Sequence, residues 1–183
     1  VVAALCVFAL LSVAALPARA DVADGIKAFE TGDYKTALTH FREAGDDVEA
    51  KFHLGLMHED GKGVRKNYIR AWLRFQEAAK KDHTEALFRL GTFNERGIGV
   101  PLDFAEAAKL YAKAAEKGHV ESQARLGRMT LKGIGVPRDD YEAARWLQKA
   151  AERGHARSQG VLDDMHRRGM LNANQILFGV DAG

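Results

Sequence analysis

An all-α solenoid of antiparallel helix–loop–helix repeats is the fold class this sequence predicts, and three observations predict it. Residues 48–83, 84–119 and 120–155 align without gaps at a spacing of 36 residues, and the second and third segments share 19 of 36 positions. Each segment holds two helix-length stretches separated by a glycine-rich loop. One such hairpin cannot bury its own apolar face, so neighbouring units must stack into a continuous core.

The chain opens on a different pattern. Val1 to Leu16 carry no charge and are nearly all apolar, and Leu16-Pro17-Ala18-Arg19-Ala20 leads into Asp21. An apolar run, a helix-breaking proline and Ala-x-Ala before a polar start form the pattern of a secretory signal peptide. We therefore read residues 1–20 as a signal, trimmed of its basic opening, that is cut after Ala20. The competing reading is a short uncleaved membrane anchor, for which the run is on the short side. Cleavage implies an exported protein, periplasmic or secreted. The only cysteine, Cys6, lies in this run. The mature chain is thus expected to hold no disulfide, although an exported compartment would permit one.

Residues 21–47 read as an N-terminal hairpin. Gly32-Asp33-Tyr34-Lys35-Thr36-Ala37 divides residues 22–45 into two helices with a loop much shorter than those that follow. In the three repeats the first helix starts near Glu49, Glu85 and Glu121 and carries Leu54-Gly55, Leu90-Gly91 and Leu126-Gly127 at its middle. Gly61, Gly97 and Gly133 end it, where glycine suits a left-handed cap. The second helix starts at Asn67, Asp103 and Asp139. Glu106 and Glu142, three residues after the aspartates, have capping-box spacing, whereas the first repeat has Arg70 there.

A glycine inside a helix costs about 1 kcal/mol relative to alanine. Its recurrence at Gly55, Gly91 and Gly127 predicts a close crossing against the small alanines of the paired helix. Leu54, Leu90, Leu126, Phe75, Tyr111 and Leu147 then fill between units. Residues 156–183 read as a partial fourth repeat, with Asp163 at the glycine position, followed by a C-terminal cap. In that cap, Ile176, Leu177 and Phe178 would cover the end of the core. With both ends capped, a monomer is expected.

The linked motifs Leu-Gly-x-Met/Phe, Gly-x-Gly-Val-Pro-x-Asp, paired alanines and Gly-His resemble the Sel-one-like repeat (SLR) family. The resemblance covers residues 48 to about 169, and residues 21–47 are similar to a tetratricopeptide-type lead-in. That family often has tyrosine three residues after the Leu-Gly glycine, where this chain has His58, Asn94 and Thr130. The resemblance implies a right-handed superhelix and an adaptor or scaffold of the exported bacterial type, with roles in envelope assembly, signalling or host interaction. Some cysteine-rich relatives are linked to hydrolysis of lactam antibiotics. An exported hydrolase is therefore the alternative function, and a mature chain without cysteine argues against it.

Chemistry-bearing patterns are few. His83, His119 and His155 recur at the repeat period, but stacked helices sit about 8–10 Å apart. That is too far for two imidazoles to share one zinc at about 2.0–2.1 Å each. Asp47 fills the same slot one period earlier, so the slot reads as a polar helix start. His53 and His58 are poorly spaced for a metal. No nucleophile–base pair or phosphate-binding glycine motif is recognisable, so no catalytic residue, cofactor or metal is expected. A net charge of +2 is too small to suggest nucleic acid or a membrane surface as a partner.

The expected working surface is the inner face of the first helices, gripping a segment of another protein. Phe52 and Phe88 would anchor that segment beside Leu56, with Arg89, Arg125 and Arg128 favouring acidic residues, since aromatic and arginine side chains dominate interfaces. The competing reading buries the two phenylalanines between units. A self-associating spacer is a third possibility for the chain as a whole.

Overall fold

The computed structural model describes residues 22–171. The expected signal segment, its Ala20 cleavage point and the Ile176–Phe178 cap lie outside the described residues. Among the described residues the chain forms nine helices and no strand. Helices α1 (Val22–Glu30) and α2 (Tyr34–Glu43) make the first hairpin. The pairs α3 (Val48–Asp60) with α4 (Tyr68–Ala79), α5 (Thr84–Arg96) with α6 (Phe104–Glu116), and α7 (Val120–Lys132) with α8 (Asp140–Glu152) make the three repeats. Helix α9 (Ala156–Arg167) closes the described chain.

Hairpin loops are set by local chemistry. The first helix of each repeat ends on a left-handed glycine, with φ of 77° at Gly61, 66° at Gly97 and 68° at Gly133. The second helix is capped by Asn67, Asp103 or Asp139, whose side chains accept from the backbone N–H of Arg70, Glu106 and Glu142. The reciprocal half of the expected capping box is not made. The Asp103 and Asp139 N–H groups instead donate to the Asn94 and Thr130 carbonyls, at 2.9 and 3.2 Å. Asn67 does the same to His58 at 2.8 Å. These bonds tie the start of each second helix back to the end of the first. Glu106 and Glu142 turn to Lys109 and Arg145.

Each core joins the second helix of one unit to the first helix of the next. Ala37 and Phe41 of α2 pack with Leu54 and Met57 of α3, and Ala71 and Phe75 of α4 with Leu90 and Phe93 of α5. Tyr111 of α6 packs with Leu126 and Met129 of α7, and Leu147 of α8 with Leu162 and Met165 of α9. The mid-helix glycines have a sharper role than the expected fit against alanines. A Cβ at Gly55 would overlap the Phe75 ring, and one at Gly91 would lie 2.6 Å from Tyr111 Cε1. At Gly127 the nearest atom is Leu147 Cγ at 2.8 Å, with the Ala143 carbonyl next at 3.0 Å. The same arrangement occurs in the first hairpin, where a Cβ on Gly25 would come 2.8 Å from Phe41 Cε1. In every hairpin the absent side chain makes room for one large residue that reaches the core.

Candidate protein-interaction face

The first helices α3, α5 and α7 lie in register, and their shared face is a ladder of charges. At its edge, His83, His119 and His155 cap α5, α7 and α9 through Nδ1, which accepts from the N–H of Ala86, Ser122 and Ser158. An Nδ1 that accepts leaves the hydrogen on Nε2. Each Nε2 therefore donates to a glutamate of the preceding first helix: His83 to Glu49 at 3.2 Å, His119 to Glu85 at 3.1 Å and His155 to Glu121 at 3.3 Å. The slot read as a polar helix start thus also bridges successive first helices. On the loop side a second ladder runs parallel. Lys81 donates to the Asp46 carbonyl at 2.9 Å, Arg153 donates to the Gly118 carbonyl, and Lys117 lies 3.9 Å from Asp82.

One turn further along the face, Arg89 pairs with Glu85 at 3.2 Å and Glu59 at 3.5 Å. Arg125 pairs with Glu121 at 3.0 Å and Glu95 at 2.6 Å. Tyr111, whose ring is fully buried, donates its hydroxyl to Glu95 at 2.7 Å. Burial pushes the Tyr111 phenol well above the usual tyrosine value, its bond to Thr92 pulls the other way, and its bond to Glu95 adds to the rise. Glu85 is held below the usual carboxylate value, chiefly by the His119 hydrogen bond. At Glu59 burial outweighs the attraction of Arg89 and raises the carboxyl.

These partners change the standing of the residues expected to grip another protein. Phe52 is 8% exposed, stacked on His83 with ring centroids 4.5 Å apart and tilted against Phe75 at 5.7 Å. It packs in the core with α4 and α5, so its expectation as an open anchor is corrected and the competing reading holds for it: the histidine that caps α5 covers it. Phe88 is half-buried, with His119 at 4.6 Å and the Arg125 guanidinium 5.6 Å from its centroid. Leu56 is half-buried against the same cluster as Phe52. Arg89 and Arg125 spend their charge on glutamates of the ladder. Arg128 differs. It is half-buried and has no carboxylate within 4.0 Å among the described residues. Burial lowers its pKa most; Glu121, and more weakly Glu95, pull it back up, while Arg125 and Arg157 add to the lowering. It borders a 120 Å³ depression with Met129, Phe104 and Ile134.

Sequence reasoning missed the His–Glu and Arg–Glu bridges. Their signal was present, because both partners recur at the same period and so keep a constant offset. Among the described residues no three histidine, cysteine, aspartate or glutamate side chains come together to hold a metal. No described helix is long and apolar enough to cross a membrane.

The family model for the Sel1 repeat matches residues 48–83, 84–119 and 120–155, and the chain belongs to the Sel1 repeat family. A Sel1 repeat protein from Oxalobacter formigenes is 31% identical with a TM-score of 0.79, over 81% of this chain and 62% of that one. The protein c5321, a protective antigen present in uropathogenic Escherichia coli strains and displaying an SLR fold, is 30% identical with a TM-score of 0.71. There the match covers 81% of this chain and 37% of the other. The chain therefore spans less than two thirds of both relatives. Helicobacter pylori cysteine rich protein B, at 22% identity and a TM-score of 0.54 over 76% of this chain, shares the fold alone. No curated protein gives a significant match. Members of the family are typically protein–protein interaction scaffolds, and the fold is generally non-catalytic.

Proposed function

We propose that this chain is a non-catalytic scaffold of the cell envelope, exported by its N-terminal apolar segment, that holds part of another protein along its first-helix face as a single copy. Family and fold support the scaffold role. The single observation that carries the choice of face is Arg128. Of the three arginines expected to meet a partner there, Arg89 and Arg125 are tied to glutamates, whereas Arg128 is half-buried and has no carboxylate within 4.0 Å among the described residues. A partly desolvated cation without a counter-ion gains most from an incoming carboxylate. Phe88, Leu56 and Thr92 offer half-buried contact surface on the same face, so the segment held there carries an acidic residue beside apolar ones. Arg89 and Arg125 shape the face rather than meet the partner with free charge.

Capture of partners by the exported protein tests this reading, with an Arg128→Glu variant run beside the unaltered chain. The new carboxylate faces Arg125 and Arg157 as well as Glu121 and Glu95, and far-UV circular dichroism checks that the variant folds. Loss of one recurrent protein partner from the variant supports the face assignment, and equal recovery from both proteins removes it. N-terminal sequencing of exported material tests the envelope role. A start at Asp21 supports it, and membrane-retained protein that keeps residues 1–20 contradicts it.

A further inference from the structure

On the side of the second helices, residues of α2, α3 and α4 line a 500 Å³ groove. It runs into a 710 Å³ depression beneath residues 63–67, and Leu38, Arg42, His58 and Arg70 border both. The corresponding groove between α4 and α6 is 260 Å³. The helix caps Asp33, Asn67 and Asp103 put the grooves in register and show what differs. Trp72 and Leu110 fill the second groove; Leu38 and Arg74 stand at those places in the first. Glu106 becomes Arg70, and Asn94, which donates to the Leu90 carbonyl at 3.0 Å, becomes His58.

The first groove is thus larger and basic, and three of its arginines are uncompensated. Glu77 pairs with Arg74 at 2.8 Å and approaches Lys51 at 4.0 Å. Arg42, Arg65 and Arg70 have no carboxylate within 4.0 Å among the described residues. Arg70 also occupies the first turn of α4, where a cation opposes the helix dipole and where the next two repeats place Glu106 and Glu142. Local stability would favour an acid there, so the arginine answers another demand. Between these arginines the His58 Nδ1 atom is buried without a hydrogen-bond partner. Burial first, then Arg70, Arg74 and Arg42, depress this imidazole against a backbone bond at Arg65 that raises it. The floor and rim are aliphatic: Leu38, Leu54 and the exposed Leu73.

We propose that this groove is a second binding site, separate from the first-helix face, for a short acidic protein segment that carries an aliphatic residue. Its carboxylates lie on Arg42, Arg65 and Arg70, and its aliphatic side chain lies on Leu38, Leu54 and Leu73. Charge complementarity and the apolar floor together select such a segment over a bare anion.

The test is fluorescence anisotropy with an end-blocked, labelled decapeptide of alternating leucine and glutamate pairs and a lysine-for-glutamate control peptide. The unaltered chain binds the acidic peptide and not the control. Arg70→Glu restores the acid of the other repeats, so its melting temperature stays level or rises while peptide affinity falls by about tenfold or more. Arg42→Ala weakens binding in the same direction, and the His58 pKa, followed by NMR, rises on peptide addition. The proposal is overturned if the acidic peptide does not bind, if Arg70→Glu binds it as well as before, or if inorganic phosphate displaces it at equal concentration. Because the Arg70 and Arg42 variants and the His58 resonance report on this groove, whereas Arg128 variants report on the first-helix face, failure of either site leaves the other standing.

Discussion

His119 Nε2 donates to Glu85 Oε2 at 3.1 Å while Nδ1 of the same ring accepts from the Ser122 backbone at 3.2 Å. One imidazole thus starts a helix and clasps the first helix before it. His119→Ala removes both bonds and is expected to cost about 1–2 kcal/mol by denaturant unfolding. His119→Asn keeps a capping oxygen and loses only the bridge, so it falls between the two. Equal losses for both variants would show that the bridge contributes nothing.

Glu85 adds a pH signature. Its folded carboxyl titrates below the usual 4.5. The unfolded chain therefore takes up this proton first as acid is added. The contribution is fully present above pH 4.5 and is lost as pH falls through the lower folded value. Glu85→Gln is expected to flatten the acid limb of the stability curve in that window. An unchanged acid limb would contradict the assignment.

Gly91 makes room for Tyr111, with 2.6 Å between an added Cβ and the ring. Gly91→Ala is expected to destabilise the chain by about 1–3 kcal/mol through overpacking. Tyr111→Leu reproduces the Gly127–Leu147 pairing of the next repeat and should absorb part of that cost. A double-mutant cycle measures the coupling, and strict additivity would show that the two positions do not meet.

The buried Tyr111 hydroxyl holds its proton more tightly folded than unfolded. Its contribution is complete below the usual tyrosine pKa of 10.0 and is lost only as pH rises through the higher folded value. Absorbance titration at alkaline pH should therefore show one late-ionising tyrosine among the four. Tyr111→Phe should remove that late step. A late step that survives the substitution would place the protected phenol elsewhere.

Asp82 adopts φ of 63°, whereas Gly118 and Gly154 occupy the matching turns. A non-glycine residue in the left-handed region carries a cost of about 1 kcal/mol. Its contact with Lys117 is long, at 3.9 Å, and largely exposed. Asp82→Gly is thus expected to stabilise the chain by about 0.5–1 kcal/mol in thermal or denaturant unfolding. A destabilised variant would give the Lys117 contact more weight than its geometry supports.

Much of this architecture was legible in the sequence because its causes are local and repeated. Glycine caps, acidic helix starts and the Leu-Gly pair recur at one period and so mark the hairpins. The burial of Phe52 was legible only as the competing reading. Helical periodicity places it on a face, but its cover, His83, comes from the cap of α5, the following first helix. The capping boxes at Glu106 and Glu142 read correctly as helix starts, yet loop closure onto Asn94 and Thr130 took the donors that the box would have used. The arginines of the face read as free cations because their glutamates come from a neighbouring turn and a neighbouring repeat at once. Arg128 has no carboxylate within 4.0 Å among the described residues.

The measurement that bears most directly on the scaffold account is site-specific photo-crosslinking in the cell that produces the protein. The reactive residue is placed at Thr92 on the first-helix face, and in a control at Gln148 on the solvent side of α8. The account predicts one recurrent protein adduct from Thr92, reduced by Arg128→Glu and absent from Gln148. Adducts of equal yield from both positions, or none from Thr92, would contradict it.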